Sequence, residues 1–239
     1  MLLPFANICW MTVVFVDTEE NAEKACAVLR EHTLLALDME GQKLGRDGQT
    51  SLLQLALHEP DEVASTVYIF DVLALGAVLF SSKTLLAPIL KDPGIVKLCY
   101  DCRCDAEALY YLHGILADGL YDLQIAYTLL FQATSDPYLK GLHKALKTVL
   151  LPCDEHVLRM KSETKKQCNF GAIMMQRPVP SAVLEYCAAD VEHLFTMHTR
   201  WSCRLPLSLL SLSRQRMLQF INRRGSWCMS RLDFVACQS

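Results

Sequence analysis

No stretch of this 239-residue chain is apolar for long enough to span a bilayer. The apolar start, Met1-Leu2-Leu3-Pro4-Phe5 through Val16, lacks a basic leading region and a small-residue cleavage site, and Asp17 to Glu20 follow at once. That is not the pattern of a secretory signal. Excess charge is also missing. The net charge is −3, so composition gives no global attraction to a polyanion, and such a ligand would need local basic patches or cations. Internal repeats are absent. The seven histidines are scattered and make no ligand pair. Eleven cysteines include Cys99, Cys102 and Cys104 close together, but no two CxxC motifs stand at zinc-ribbon spacing. Several others, Cys9, Cys26 and Cys187, sit in apolar stretches. They read as free thiols in a reducing compartment, behaving as small core residues. The expectation is an intracellular protein, cytoplasmic or nuclear, with no membrane role.

What is present is an ordinary globular composition, 52% hydrophobic and 21% charged, long enough for one large α/β domain. Thr12 to Val16 is β-branched and predicts a strand. Asp17-Thr18 offers a cap for a helix over 19–31, where Ala22, Ala25, Cys26 and Leu29 recur at helical spacing. Leu34 to Glu40 predicts a buried strand, and the glycines 41, 45 and 48 predict a turn. Strands over 51–57 and 67–71 follow on short links, which favour antiparallel pairing. Then come a helix over 85–90, a strand over 95–99 and a helix over 101–113 ended by Gly114. A short strand-like link over 120–122 leads to helices over 122–131, 139–150 and 181–199. Strands first, then helices alternating with one more strand, predict a mixed β-sheet flanked by α-helices. From Leu205 the texture changes: leucine alternates with serine, and six arginines from Arg204 to Arg231 face one acid, Asp233. The segment 203–239 is a basic C-terminal tail. Two readings stand: a helix whose basic face serves RNA or a protein partner, or a poorly ordered terminus.

Carboxylates stand at the ends of apolar runs, where burying them unpaired is costly. Asp38 and Glu40 are two apart on a strand, so they share a face. Asp105 falls in the first turn of a helix after a strand. Asp190 lies on a late helix, with Tyr186 four residues earlier on the same side. Should the four acids converge, one like-charge pair at about 4 Å would cost on the order of 4 kcal/mol at an effective dielectric of 20. Hard divalent cations relieve that, and oxygen-only ligands suit Mg²⁺ or Mn²⁺. Two such ions about 3.5–4 Å apart can activate a water and stabilise the leaving oxygen of a phosphodiester. Tyr186 could orient or help deprotonate that water.

Three motifs carry a family resemblance. Leu37-Asp38-Met39-Glu40-Gly41, Asp105 with Ala106-Glu107-Ala108-Leu109, and Tyr186-Cys187-Ala188-Ala189-Asp190-Val191 resemble, in order, those of the DEDD superfamily of 3′–5′ exonucleases. Tyrosine four residues before the last Asp, with Glu185 in the slot where the other branch has histidine, resembles the RNase D-like (DEDDy) branch. Arg177-Pro178-Val179, Asp101-Cys102-Arg103 and Asp122-Leu123-Gln124-Ile125-Ala126 are similar to its Egalitarian-like subgroup. Tyr100, Cys104 and Ile173 stand where that subgroup usually has His, Asn and Trp. The resemblance covers about residues 12–200 and leaves too little chain for the C-terminal domain of RNase D proteins. It implies an RNase H-like fold over 1–202. It also implies two ions, Mg²⁺ or Mn²⁺, on Asp38, Glu40, Asp105 and Asp190, with Tyr186 positioning the water. The implied activity is stepwise hydrolysis of nucleic acid from a free 3′ end, RNA favoured over DNA, releasing nucleoside 5′-monophosphates. The alternative is an RNA-binding adaptor that keeps the fold and turns over little or nothing. Of the remaining candidates, Asp101 and Asp122 are expected to cap helices. Gln54 faces substrate or merely pairs strands. Lys140, Lys144 and Lys147 contact phosphates or form a solvated face.

Overall fold

A computed structural model of the chain describes residues 11–58, 65–133, 135–150, 155–166 and 170–222. The apolar start before Met11, Cys9 included, and Arg223, Arg224, Arg231 and Asp233 lie outside the described residues.

Met11–Val16, rich in β-branched residues, forms strand β1. The Thr18 hydroxyl accepts from the Asn21 amide and starts helix α1, Glu19–Leu29, which buries Ala22, Ala25, Cys26 and Leu29. Strands β2 (Leu34–Gln42), β3 (Gln49–His58) and β4 (Ser65–Asp71) follow. The Asp71 carboxylate caps a short turn of helix, α2 (Val72–Leu75), by accepting from the amides of Leu73 and Ala74. Two more short helices, α3 (Val78–Ser81) and α4 (Leu86–Lys91), lead to β5 (Val96–Cys99). Helix α5, Arg103–His113, ends where Gly114 turns left-handed at φ 67°, a conformation glycine takes without a Cβ penalty. Then come β6 (Leu120–Asp122), α6 (Leu123–Phe131), α7 (Leu142–Leu146), α8 (Glu155–Lys166), α9 (Phe170–Met174), α10 (Ser181–Trp201) and α11 (Leu209–Asn222).

The strands form one six-stranded mixed sheet, β1-β4-β3-β2-β5-β6. β2, β3 and β4 pair antiparallel, as their short links require, and β1, β5 and β6 join as parallel strands. Both faces are covered. Leu35, Leu37, Met39, Leu53, Leu55 and Phe70 pack with α1, α4 and α5. Ala36, Leu52, Ala56, Val67 and Ile69 pack with α6, α7 and α10. This explains why β3 is buried at every position but its two ends rather than alternating.

Two helix expectations change. The run 139–150 is helical only over Leu142–Leu146. Ahead of it the Lys140 carbonyl accepts from Tyr100 and Gln124 side chains, and behind it the Thr148 hydroxyl bonds the Ala145 carbonyl. The first two are tertiary bonds that hold the backbone before α7 away from a helical path, and the last is a local bond that competes with helix propagation. Asp101 does not cap α5. Cys102 holds that position, and Asp101 sits at φ 61° with its carboxylate on the Arg103 guanidinium. Asp122 does cap α6, accepting from the Gln124 amide at 2.9 Å.

Candidate metal centre

Strand alternation puts Asp38 and Glu40 on the face of β2 that looks at α10, with Ala36. A register shift between Glu40 and Gly41 kinks the strand directly after the second acid. Only glycine fits there, because a Cβ on Gly41 would lie 2.0 Å from the Gln49 carbonyl oxygen. From the opposite side α10 delivers Asp190. One carboxylate oxygen from each of Asp38, Glu40 and Asp190 lies within 4.8 Å of the other two.

The approach to α10 is fixed by Arg177. Its guanidinium bonds both oxygens of Asp71, each at 2.7 Å, and the hydroxyl and carbonyl of Ser51. The Arg177–Pro178 peptide is cis. Asp105, in the first turn of α5, is buried and stands apart from the close trio. Its carboxyl is pushed well above the usual range, first by burial and then by the charges of Asp38 and Glu40. Asp38 is raised for the same reasons, burial first and then Asp190, against a lowering from Lys161.

Tyr186 lies one turn before Asp190 and is buried. Burial, then Asp190, Glu40 and Asp38, raise its phenol far above the ordinary value. The hydroxyl therefore keeps its proton near neutral pH.

A cation that the motifs did not mark enters from α8. The Lys161 ammonium donates to one oxygen of Asp190 and lies 4.1 Å from the centroid of the Tyr186 ring. Lys161 is buried. Its only sequence signal is position: it recurs at helical spacing with Leu158 and Thr164 on the inward face of α8. The second Asp190 oxygen is buried without a hydrogen-bond partner. An orphaned buried carboxylate oxygen beside two more carboxylates is a donor set that fits a hard divalent ion.

The other candidates fall elsewhere. Gln54 pairs with Asp38 across β2 and β3 and is fully buried. Lys140 pairs with Asp136, its ammonium 2.6 Å from the carboxylate. Among the described residues, no helix is long and apolar enough to cross a membrane.

Comparison with known proteins places this geometry. The family profile described as 3′–5′ exonuclease matches residues 13–204, which hold Asp38, Glu40, Asp105, Tyr186 and Asp190. The piRNA biogenesis protein EXD1 of Xenopus laevis is 28% identical over 177 residues, 72% of this chain and 38% of that protein. Ribonuclease D of Pseudomonas paraeruginosa is 33% identical over 119 residues, 50% of this chain and 28% of that one. The chain thus spans well under half the length of these relatives. Among solved structures, Trypanosoma brucei RNase D in complex with RNA U12 matches with a TM-score of 0.73 at 24% identity, covering 95% of this chain and 79% of that one. That likeness shows the shared fold. With the profile match running from the third residue of β1 to the turn after α10, the chain belongs to the 3′–5′ exonuclease family.

Proposed function

We propose that this chain hydrolyses RNA stepwise from a free 3′ end, with two divalent ions, Mg²⁺ or Mn²⁺, held by Asp38, Glu40, Asp105 and Asp190. The observation that carries the reading is the trio of carboxylates within 4.8 Å of one another, one of whose buried oxygens has no partner. When bound, such ions supply charge to activate a water and to stabilise the leaving 3′ oxygen. The residues do the rest. Asp38 and Glu40 present their oxygens from a rigid strand, and α10 sets Asp190 against them. Tyr186 keeps its proton and donates a hydrogen bond that orients the attacking water. Inversion at phosphorus releases a nucleoside 5′-monophosphate. RNA is favoured over DNA because a relative's structure holds RNA U12 and another relative is a ribonuclease.

The test is a 5′-labelled single strand, RNA or DNA, incubated with Mg²⁺ or Mn²⁺. The expected result is a ladder shortening from the 3′ end, faster on RNA, and abolished by Asp38→Ala and Asp190→Ala. A folded protein that shortens neither strand refutes the reading.

One observation favours a second reading. Lys161 neutralises Asp190 from within the site. An adaptor that binds RNA without cutting it would keep such a pair permanently. RNA binding with equal affinity in EDTA and in Mn²⁺, and no hydrolysis, would support it.

A further inference from the structure

Helix α11 lies beyond the matched residues 13–204, yet it reaches into the turn that carries Asp105. Arg216 is buried. One prong of its guanidinium, Nη1, donates to Asp122 at 2.6 Å. The other, Nη2, donates to Gln124 Oε1 at 2.5 Å and to Asp101 at 3.3 Å. Asp101 in turn holds Arg103 through two hydrogen bonds, at 2.6 and 3.0 Å, and its own amide donates to Asp122 at 2.9 Å. Two carboxylates and two guanidiniums thus close a neutral quartet around the β5–α5 turn. Asp105 follows Arg103 by two residues, and its carboxyl feels the charges of both Asp101 and Asp122. Asp101 also holds a left-handed backbone, φ 61°, which a non-glycine residue keeps only where its surroundings fix it. The rest of α11 is pinned as well. Ser213 accepts from the Asp122 amide, and the Ile221 carbonyl accepts from Tyr111 and Arg46.

We infer that Arg216 is a positioning residue: its fork, bridging Asp101 and Asp122, sets the turn that presents Asp105 to the ions. The inference rests on the proposed ion site for its catalytic meaning, but the positioning itself is separately measurable. Without Arg216, the buried Asp122 would lose its guanidinium partner, Asp101 would keep only Arg103, and the left-handed turn would lose its outer support.

The experiment uses the full chain and three variants, Arg216→Met, Arg216→Lys and Tyr111→Phe. Amide hydrogen exchange over 101–107 reads the turn, and Mn²⁺ affinity, from electron paramagnetic resonance of the free ion, reads the site. Arg216→Met is expected to speed exchange over 101–107 at least tenfold and to weaken Mn²⁺ binding about tenfold. Arg216→Lys, a charge without a fork, should fall between. Tyr111→Phe loosens the far end of α11 and should leave both readouts unchanged. Exchange and affinity in Arg216→Met equal to those of the unaltered chain would overturn the inference. Should Arg216→Met fail to fold, Arg216→Lys decides, and equality with the unaltered chain in both readouts overturns it. If the unaltered chain binds no Mn²⁺, the proposed function fails, and exchange over 101–107 still decides the positioning.

Discussion

Lys161 and Asp190 share one hydrogen bond at the floor of the acidic cluster, and the other oxygen of Asp190 has no partner. The ammonium therefore neutralises part of a site that the motifs assign to divalent ions. A cation fixed on a flexible stem competes with an ion for the same carboxylate. Removing it by Lys161→Met should destabilise the ion-free chain by about 3–5 kcal/mol, the usual cost of stripping one partner from a buried pair. Mn²⁺ should recover more stability in the variant than in the unaltered chain. Thermal melts with and without Mn²⁺ check this. Equal Mn²⁺ responses would show that the lysine and the ion do not compete.

The carboxylates themselves predict a trade between stability and function. Asp38 is raised by burial and by Asp190, so in the ion-free chain it contributes repulsion. Asp38→Asn removes a charge at almost no change in shape. The ion-free variant should be more stable, by on the order of 1 kcal/mol, a fraction of the roughly 4 kcal/mol of a close like-charge pair at an effective dielectric of 20. It should also lose its Mn²⁺-induced rise in melting temperature and its strand shortening. A variant less stable than the unaltered chain without ions would mean that Asp38 is already well paired.

Parts of this arrangement can be read from local pattern. Alternation along β2 puts Asp38 and Glu40 on one side, and a four-residue step on α10 puts Tyr186 beneath Asp190. The mixed sheet follows from element order and link length. Nothing local reveals Lys161, because a lysine on a helix reads as solvated until an acid 29 residues away is known to face it. Arg216 is hidden for the same reason. Its serine- and arginine-rich surroundings read as a solvated tail, yet it is buried against Asp122, 94 residues earlier. Long-range pairing of opposite charges leaves no periodic trace in sequence. Apolar spacing over 139–150 predicts a longer helix than α7 because it continues past the point where the Thr148 hydroxyl takes the Ala145 carbonyl.

Gln54 offers a cleaner case. It stands opposite Asp38, fully buried, with neither amide atom hydrogen-bonded. An orphaned buried amide costs about 1–3 kcal/mol, and an apolar residue of similar size removes that cost. Gln54→Leu is expected to stabilise the ion-free chain by about 1–2 kcal/mol on that basis. Urea unfolding in EDTA measures it. Destabilisation instead would show that the amide is satisfied in solution, by water or by Asp38.

Lys97 gives the pH prediction. It is fully buried, and its amine donates to the carbonyls of Ile89 at 3.0 Å and Asp92 at 2.7 Å. Burial lowers it from the ordinary lysine range to about 8, against a smaller raising by Asp92 and Asp118. Neutral amine still carries two hydrogens, enough for both carbonyls, so deprotonation breaks neither bond. The folded chain therefore releases this proton near pH 8, while the unfolded chain keeps it until about pH 10.4. Between those values the unfolded state binds more protons, so stability rises with pH. The slope from this one group approaches about 1.4 kcal/mol per pH unit. Lys97→Met has no proton to hold and should lack that contribution. Urea unfolding under reducing conditions at pH 7.5, 8.5 and 9.5 measures both chains, and the difference between them isolates Lys97 from the other groups that titrate there. A difference that stays constant across the three pH values would mean that the buried amine remains charged throughout, as it does in the unfolded chain.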